Sequence, residues 1–146
     1  MTEISNARKE EIANSFSKQG LMKTFNATLE EVSAGRIMIS MPYADSVSQQ
    51  HQYFHGGVIG ALGDSACGYA AITLIPNDSA ALTAEYKINL LAPADGNRLV
   101  AIGKVLKAGR TLVVCQGDVF VESQGKRTLC ATMLMTMCVI KNLGHK

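Results

Sequence analysis

The chain has 146 residues, of which 47% are hydrophobic and 18% are charged. This length predicts one domain over residues 1–146, because a second hydrophobic core would leave both cores undersized. Fourteen Lys and Arg against twelve Asp and Glu give a formal net charge of +2. That balance excludes an extended disordered chain and a general nucleic-acid binder, so we expect no nucleic-acid partner.

The N-terminal residues and the cysteines predict a cytoplasmic protein. Residues 1–15 contain acidic side chains and lack the apolar segment of a secretory signal. No run approaches the roughly 18 apolar residues that a membrane span needs, so we expect no membrane partner. The cysteines form no CxxC pair and lie in apolar stretches, which favours buried free thiols and predicts neither a metal site nor a cofactor. They are Cys67, Cys115, Cys130 and Cys138.

The first third of the chain predicts one helix followed by two strands. Residues 5–18 are typical of an amphipathic helix, which Gly20 is expected to end. Strands are predicted over residues 24–32 and 36–43. The polar residues 44–54 then predict a loop.

The most glycine-rich segment, residues 55–75, predicts a helix of about five turns at 3.6 residues per turn. Its interior contains Gly57, Gly60, Gly63 and Gly68, and each interior glycine costs about 0.5–1 kcal/mol relative to alanine. A helix tolerates that cost when another group must approach its backbone closely. We therefore expect a sheet to wrap around this helix.

The remainder of the chain predicts four strands. Apolar and polar residues alternate over 82–90, and three further runs at 99–106, 111–121 and 128–140 are separated by glycine-containing turns typical of an antiparallel meander. The last two runs are apolar on both alternations, which predicts that both of their faces are covered. The order helix, two strands, long helix, four strands indicates an α+β fold.

His55, Gly56 and Gly57 lie where the polar loop enters the long helix. Free N–H groups at a helix start bind an oxyanion or carboxylate, and glycines allow a ligand to approach that backbone. An ordinary flexible joint between loop and helix is the alternative interpretation.

Asp64 lies seven residues after Gly57, near the middle of an otherwise apolar helix. A buried carboxylate needs a partner or a function, and a general base or a nucleophile is such a function. The alternative is that Asp64 accepts local hydrogen bonds from Ser65 or from a loop.

The helix geometry bears on how these groups could cooperate. Seven residues at 1.5 Å each separate Asp64 from the Gly57 N–H by ~10 Å along the axis. An oxyanion donor lies ~3 Å from its oxygen, and an attacking group is about as close to its carbon. If both residues act, we expect them to come from two chains, with the active site at the interface of an obligate dimer.

His-Gly-Gly at 55–57, Asp64 seven residues later, and the stretches 82–94 and 107–114 together resemble the hotdog-fold acyl-CoA thioesterases of the PaaI-like type. The resemblance covers about residues 20–140. It implies a hotdog fold, in which an antiparallel sheet of five to six strands wraps a long central helix. We expect a short N-terminal helix within residues 1–19, the core at 20–140 and a tail at 141–146.

The resemblance also implies a role for each candidate catalytic residue. The Gly57 N–H would form the oxyanion hole, and His55 would lie beside the thioester oxygen or hold the loop. Asp64 of the facing protomer would attack the carbonyl or activate water. Thr83 would position that water. Gln49 stands where the family often has Asn, so a polarising amide is retained on a longer side chain.

On the substrate side, the resemblance implies an acyl-CoA that is hydrolysed to a carboxylic acid and free CoA. Gly56 would lie beside the substrate. Basic residues would meet the CoA phosphates, next to Thr111, although solvated turn charges are the alternative for Lys104, Lys107 and Arg110. We expect medium-chain or aromatic acyl groups. Met133, Met135 and Met137 would either line the acyl pocket or fill the core.

Three alternatives differ in chemistry. A hotdog hydratase or dehydratase needs a His paired with an acid, and the extended segment typical of such dehydratases is absent from the sequence. A non-catalytic acyl-CoA-binding module would leave Asp64 without a use. A Cys67 nucleophile would need a histidine base, and the candidates are His51, His55 and His145.

A hydrophobic, lightly charged chain of this size has more apolar surface than a small monomer easily buries. A dimer whose sheets join and whose glycine-rich helices face each other would use that surface. We therefore expect a homo-oligomer, a dimer extended to a dimer of dimers.

Overall fold

The structure is a computed structural model that describes residues 3–143. Of the residues singled out above, His145 lies outside the described part, as does the end of the expected tail at 141–146. Within residues 3–143, no helix is long and apolar enough to cross a membrane.

One long helix lies against a six-stranded antiparallel sheet. The sheet order is β1-β2-β4-β5-β6-β3, so β1 and β3 are its edges. This arrangement confirms the predicted hotdog fold, with its short N-terminal helix and its C-terminal meander. The elements are α1 (Asn6–Ser17), α2 (Gly20–Thr24), β1 (Thr28–Ser33), β2 (Arg36–Pro42), a 3-10 turn (Asp45–Val47), α3 (Gly56–Ile72), β3 (Ser79–Leu90), β4 (Arg98–Ala108), β5 (Leu112–Ser123) and β6 (Lys126–Lys141).

The N-terminal segment differs from the prediction at one place. Ser5 caps α1 by accepting from the Arg8 N–H at 3.2 Å, as expected for a serine before a helix. Gly20, however, does not end the first helix, whose C-cap is Lys18; it begins the second helix α2, so Thr24 is helical and β1 starts at Thr28. The cause is tertiary, because α2 turns the Met22 side chain into the core, where it is 1% exposed.

Helix α3 has 17 residues and ends at Ile72, three residues before the predicted end. The Thr73 hydroxyl donates to the Ala70 carbonyl at 2.7 Å, and Leu74 N–H donates to the Ala71 carbonyl in a tighter turn. Pro76 disfavours helical backbone in the residue before it, so the last turn loosens ahead of this proline.

Glycines set how closely α3 approaches the sheet. A side chain at Gly103 on β4 would overlap the backbone of Ala66 and Cys67. At Gly117 on β5, a Cβ would lie 2.9 Å from the Cys67 Sγ. Gly63 on the helix leaves room for Met133 of β6. The glycines thus let the chain's own sheet approach α3 closely. Two of them, Gly103 and Gly117, belong to the sheet strands β4 and β5.

The core lies between α3 and the concave face of the sheet. Fully buried aliphatic side chains from both sides meet there, including Leu62 and Ala66 of α3 with Ile39, Leu99 and Val119 of the sheet. Burial of such side chains contributes roughly 1.5–3 kcal/mol each.

The prediction that both faces of the last two strands are covered does not hold within one chain. On β5 the burial alternates, with Val113, Cys115 and Val119 buried toward α3. On the opposite face, which we call the outer face, Leu112 is 47% exposed and Leu134 of β6 is 54% exposed. One chain therefore covers a single face of its sheet.

An ion-pair ladder crosses the outer face at one end of the sheet. Arg98 pairs with Glu30 at 2.6 Å and with Glu122 at 2.9 Å, and Arg127 pairs with Glu122 at 2.6 Å. Glu30 also accepts from the buried Ser40 hydroxyl. The ladder links β1, β4, β5 and β6, so it stabilises strands that are distant in sequence.

We predict that Gly103→Ala destabilises the fold, because the added methyl group meets helix backbone that has no room to move. Overpacking of this kind costs about 1–3 kcal/mol. Urea unfolding followed by circular dichroism measures the loss. The matched control is Gly20→Ala, where no atom lies within 4 Å of the added Cβ. Equal stability of the two variants would contradict the close contact at Gly103.

We predict that the ladder makes stability depend on acid pH. The pKa of Glu30 is lowered, first by its hydrogen bond from Ser40, and the pKa of Glu122 is lowered, first by Arg98. A carboxyl whose folded pKa is depressed adds stability above its unfolded pKa and loses it as the pH falls through the folded pKa. Arg98→Met should therefore narrow the difference in unfolding midpoint between neutral pH and about pH 3. An unchanged pH profile would remove this role for Arg98.

Candidate active site

Asp64 lies at mid-helix on α3, where it is half-buried and paired with a hydroxyl. Its Oδ1 accepts a hydrogen bond from Thr83 Oγ1 at 2.6 Å. The Asp64 carboxylate, expected to be buried, is therefore accessible, and one of its oxygens is held by Thr83. Its Oδ2 has no hydrogen-bond donor within residues 3–143, so it is available for chemistry.

A β-bulge in β3 turns the Thr83 side chain toward Asp64. The pairing of β3 with β6 shifts between Thr83 and Glu85, which leaves Ala84 as the extra residue. Thr83 and Tyr86 therefore both face α3, although an unbroken alternation would place them on opposite faces. The Tyr86 hydroxyl lies 3.4 Å from the position of a Cβ on Gly60. The bulge brings a hydroxyl to the carboxylate while β3 continues to pack against the helix.

The Asp64 carboxylate opens into a cavity of about 320 Å³, which we call the Asp64 cavity. Residues of α3, β3 and β6 line it together with residues at the end of α1. The lining residues are Ser15, Lys18, Gln19, Asp64, Ser65, Gly68, Tyr69, Ile72, Ala81, Thr83 and Met137. The three methionines considered for an acyl pocket are all core residues, and of these Met137 also lines the cavity.

The start of α3 is organised by His55. Its Nδ1 accepts from the Gly57 N–H at 2.8 Å, so His55 is the N-cap and Gly57 is already bonded. The Gly56 N–H has no acceptor within residues 3–143. The N–H that remains free at the helix start is therefore that of Gly56, where the sequence analysis expected Gly57. His55 thus caps the start of the helix, and its expected place beside the thioester oxygen stays a prediction.

Gln49 lines the same cavity as Gly56. Its Oε1 accepts from the His51 N–H, which leaves the Nε2 group as a donor. Gln49 and Gly56 line a second cavity of about 380 Å³, which we call the Gly56 cavity. Its other lining residues are Tyr53, Phe54, Ile59, Leu90, Leu91, Ala92, Pro93 and Ala94.

One chain keeps the two cavities apart. Gly56 precedes Asp64 by eight residues, which is about 12 Å along a helix axis, and no residue lines both cavities. The donor groups and the carboxylate of one chain therefore do not meet on one carbonyl.

The residues expected to contact CoA lie elsewhere. Gly103 faces α3, so its neighbour Lys104 faces outward, and the bulge after Val105 leaves Lys107 on the same outer face. Arg110 and Thr111 lie in the exposed turn between β4 and β5. None of these four lines the Asp64 cavity or the Gly56 cavity. Within the described residues, the three basic side chains form no ion pair.

The Cys67 alternative is contradicted by burial. Cys67 is fully buried between α3 and the sheet, and this desolvation raises the pKa of its thiol far above the ordinary range. A thiolate nucleophile requires the opposite shift and access to substrate. Across residues 3–143, no group of three or more His, Cys, Asp or Glu side chains is arranged to hold a metal ion.

The wall of the Asp64 cavity was not predicted from the sequence. Ser15, Lys18 and Gln19 come from the α1–α2 junction, and Tyr69 comes from the next turn of α3. Polar residues at the end of a surface helix are too common to signal a site. Their position beside Asp64 depends on how α1 packs, which no local pattern predicts.

Comparisons with known proteins agree with this fold. The family model of the thioesterase superfamily matches residues 51–128. A thioesterase family protein from Silicibacter pomeroyi superimposes with a TM-score of 0.90 and 36% identity, over 92% of this chain and 98% of that one. The PaaI protein from the E. coli phenylacetic acid degradation operon gives 0.82 at 21% identity, over 94% and 96%, which shows the fold alone.

A third similar structure is the thioesterase SAV0944 of Staphylococcus aureus. It superimposes with a TM-score of 0.78 and 27% identity, over 83% of this chain and 98% of that one. It has been solved with a glutamine replaced by alanine and, separately, with a glutamate replaced by alanine. The family match covers more than half of the chain, and it includes the start of α3, Asp64 and Thr83. This protein, with its glycine-lined helix and its hydroxyl-bonded carboxylate, belongs to the thioesterase superfamily.

Proposed function

We propose that this protein hydrolyses acyl-CoA thioesters to a carboxylic acid and free CoA, at sites formed between two protomers. One observation carries the proposal. The Asp64 carboxylate, held by Thr83, and the free Gly56 N–H, in the same cavity as Gln49, are complementary halves of a hydrolytic site in separate cavities. A second copy is the simplest source of the missing half.

The free edge of the sheet supports this pairing. Strand β3 has 12 residues, pairs on one side with no other strand of residues 3–143, and exposes Leu82, Tyr86 and Leu90. Long exposed edges of this kind are templates for pairing with another strand. Antiparallel pairing of two β3 strands would extend the sheet across a twofold axis.

The same axis would align the two halves of the site. Gly60 lies midway between Gly56 and Asp64 on α3, and it packs against Tyr86 near the middle of β3. A twofold axis through this region would set the two α3 helices antiparallel. The Gly56 N–H of one protomer would then face Asp64 of the partner subunit, and each dimer would contain two sites.

The reaction develops negative charge on the thioester oxygen, and this charge determines the role of each group. The thioester oxygen would accept from the Gly56 N–H and from Gln49 Nε2, which stabilise its negative charge in the transition state. Asp64 Oδ2 would attack the carbonyl carbon, releasing the CoA thiolate and leaving an acyl anhydride that water hydrolyses. Alternatively, it would take a proton from water as that water attacks and the thiolate leaves. Both routes use the same carboxylate, held in place by Thr83.

The spacing in SAV0944 supports the pairing of these roles. The glutamine and the glutamate that were replaced in that protein stand fifteen positions apart. Gln49 and Asp64 have the same separation in this chain. The same interval between a Gln and a carboxylate therefore occurs in both chains.

The CoA contacts remain part of the proposal. Lys104, Lys107, Arg110 and Thr111 form an exposed basic end of the β4–β5 hairpin, and phosphates are natural ligands for unpaired basic side chains. Because they lie outside both cavities, we propose that another subunit supplies them to each site. The exposed leucines of the outer face are the surface for such a dimer of dimers. Free thiols throughout fit a reducing cytoplasm.

We predict that Asp64→Asn abolishes most turnover while the dimer stays folded. Loss of a base or nucleophile should lower kcat about 100- to 10,000-fold. Thr83→Val should cost about tenfold, because it removes one hydrogen bond to a charged group. Thiol release from a panel of acyl-CoAs that includes medium-chain and aromatic acyl groups measures turnover, and gel filtration checks assembly. Unchanged kcat in Asp64→Asn would remove Asp64 from the mechanism.

We predict that Gly56→Pro lowers kcat about 100-fold or more by deleting the free N–H. Proline suits the first helical position, and His55 before it is already extended, so the helix should persist. Gly56→Ala, which keeps the N–H, is the matched control. Equal activity of the two variants would contradict a donor role for Gly56.

Mixing the inactive variants tests the shared site. A heterodimer of Asp64→Asn with Gly56→Pro contains one site with both native groups, so random exchange should restore about a quarter of the wild-type activity. No recovery after proven heterodimer formation would place both groups of each site on one chain.

A further inference from the structure

A tight turn with unusual backbone geometry precedes helix α3, and we call its residues 49–53 the Gln52 turn. Its ends pair with each other, because the Gln49 N–H donates to the Tyr53 carbonyl at 2.9 Å. The Gln52 N–H donates back to the Gln49 carbonyl at 3.0 Å. Gln52 has a φ of 65°, in the left-handed region. Three-residue loops of this kind close through one left-handed residue, a position that favours glycine.

Glutamine is an uncommon residue for this conformation. Left-handed backbone brings the Cβ atom close to the following carbonyl oxygen, a contact that glycine avoids and that asparagine offsets by local hydrogen bonds. Among residues 3–143, the non-glycine residues with positive φ are Asn26, Gln52, Gln124 and Asn142. Gln124 lies beside Gly125 in the two-residue hairpin between β5 and β6. Strain of this kind persists only where the surrounding contacts hold it.

The base of the Gln52 turn is anchored in the core. Phe54 is 3% exposed, and its ring meets the Tyr43 ring edge-on at 5.4 Å. Its N–H donates to the Ala94 carbonyl at 3.1 Å. The His55 N–H donates to the Val47 carbonyl at 3.0 Å. Because these contacts hold both ends of the turn, a change at its tip alters the tip and leaves the fold in place.

The turn determines which end of the Gln49 amide is available as a donor. The His51 N–H donates to Gln49 Oε1, and an amide whose oxygen is held in this way presents its NH₂ group as the donor. Gln49 is half-buried and lines the Gly56 cavity, whereas the Gln52 side chain is exposed and lines neither cavity. A rotated amide would present its oxygen to the thioester oxygen, which repels it. Gln52 therefore acts through its backbone, which brings the His51 N–H to the Gln49 side chain.

We propose that Gln52 is a positioning residue for the hydrolysis, because its left-handed backbone closes the turn that holds Gln49 as a hydrogen-bond donor. This inference rests on the proposed function, in which Gln49 Nε2 and the Gly56 N–H stabilise the thioester oxygen. A donor that is oriented before the substrate binds needs no reorganisation while the negative charge develops. A misplacement of about 1 Å lowers the rate by up to about 100-fold.

The test changes the backbone preference of residue 52 in the full-length protein. A β-branched residue resists a positive φ, whereas glycine adopts it freely. The values of kcat and KM are measured for the acyl-CoA of the panel that the wild type hydrolyses fastest. We expect Gln52→Val to lower kcat about 10- to 100-fold while KM stays within about twofold. Gln52→Gly should keep kcat within about twofold of the wild type.

The matched control is Gln124→Val, the same change at the other glutamine with left-handed backbone, which lines neither cavity. It should lower the urea midpoint of unfolding and leave kcat unchanged. A double-mutant cycle then tests whether Gln52 acts through Gln49. Gln49→Ala should lower kcat about 100-fold, and adding Gln52→Val to it should change kcat by less than about twofold.

Three results would each overturn the inference while leaving the thioesterase proposal standing. They are wild-type kcat in Gln52→Val, an equal loss of kcat in Gln52→Gly or Gln124→Val, and a Gln52→Val loss that persists in the Gln49→Ala background. Absence of hydrolysis of every acyl-CoA by the wild type would instead overturn the proposed function, and this inference with it. Gln52→Thr, which has the same branching on a polar side chain, preserves the test if Gln52→Val does not fold.

Discussion

The structure depends on how closely α3 approaches the sheet that surrounds it. Gly103 meets the backbone of Ala66 and Cys67, while Gly63 leaves space for Met133. Close packing at these points brings β3 and β6 to the flank of the helix, because the strands connect through one continuous sheet. At this separation Thr83 reaches Asp64 at hydrogen-bonding distance. The catalytic proposal therefore rests on a packing constraint.

The start and the middle of helix α3 present different groups. At its start, the His55 cap satisfies Gly57 and leaves the Gly56 N–H free for an oxyanion. At its middle, Asp64 opens into a cavity closed by α1. A rigid helix keeps these groups a fixed distance apart, too far for one carbonyl. In the proposed dimer, two antiparallel copies would convert that separation into two equivalent sites and would pair the long exposed edge strand β3.

Much of the fold could be predicted from local patterns. The N-cap of α1, the glycine-rich helix and the meander each have a signature of a few residues, and they occur where predicted. The errors lie where distant contacts decide: Gly20 begins α2 because Met22 is drawn into the core, and the bulge at Ala84 breaks an alternation that reads as regular. In the site, the sequence pointed to Asp64 and the helix start, and the oxyanion role that it assigned to the Gly57 N–H stays a prediction. The Gly57 N–H donates to Nδ1 of His55. This bond depends on the side-chain rotamer of His55, which residue spacing does not encode.

By itself the sequence determined the order of the long helix and the strands, through local periodicity, and the family, through its motifs; it also named candidate site residues by residue type. The tertiary structure decided three further points. It paired Asp64 with Thr83 through a bulge, separated the helix start from the carboxylate into two cavities, and brought the polar end of α1 beside Asp64. Each depends on the relative placement of elements far apart in the chain, which is set by the packing of side chains on all sides at once.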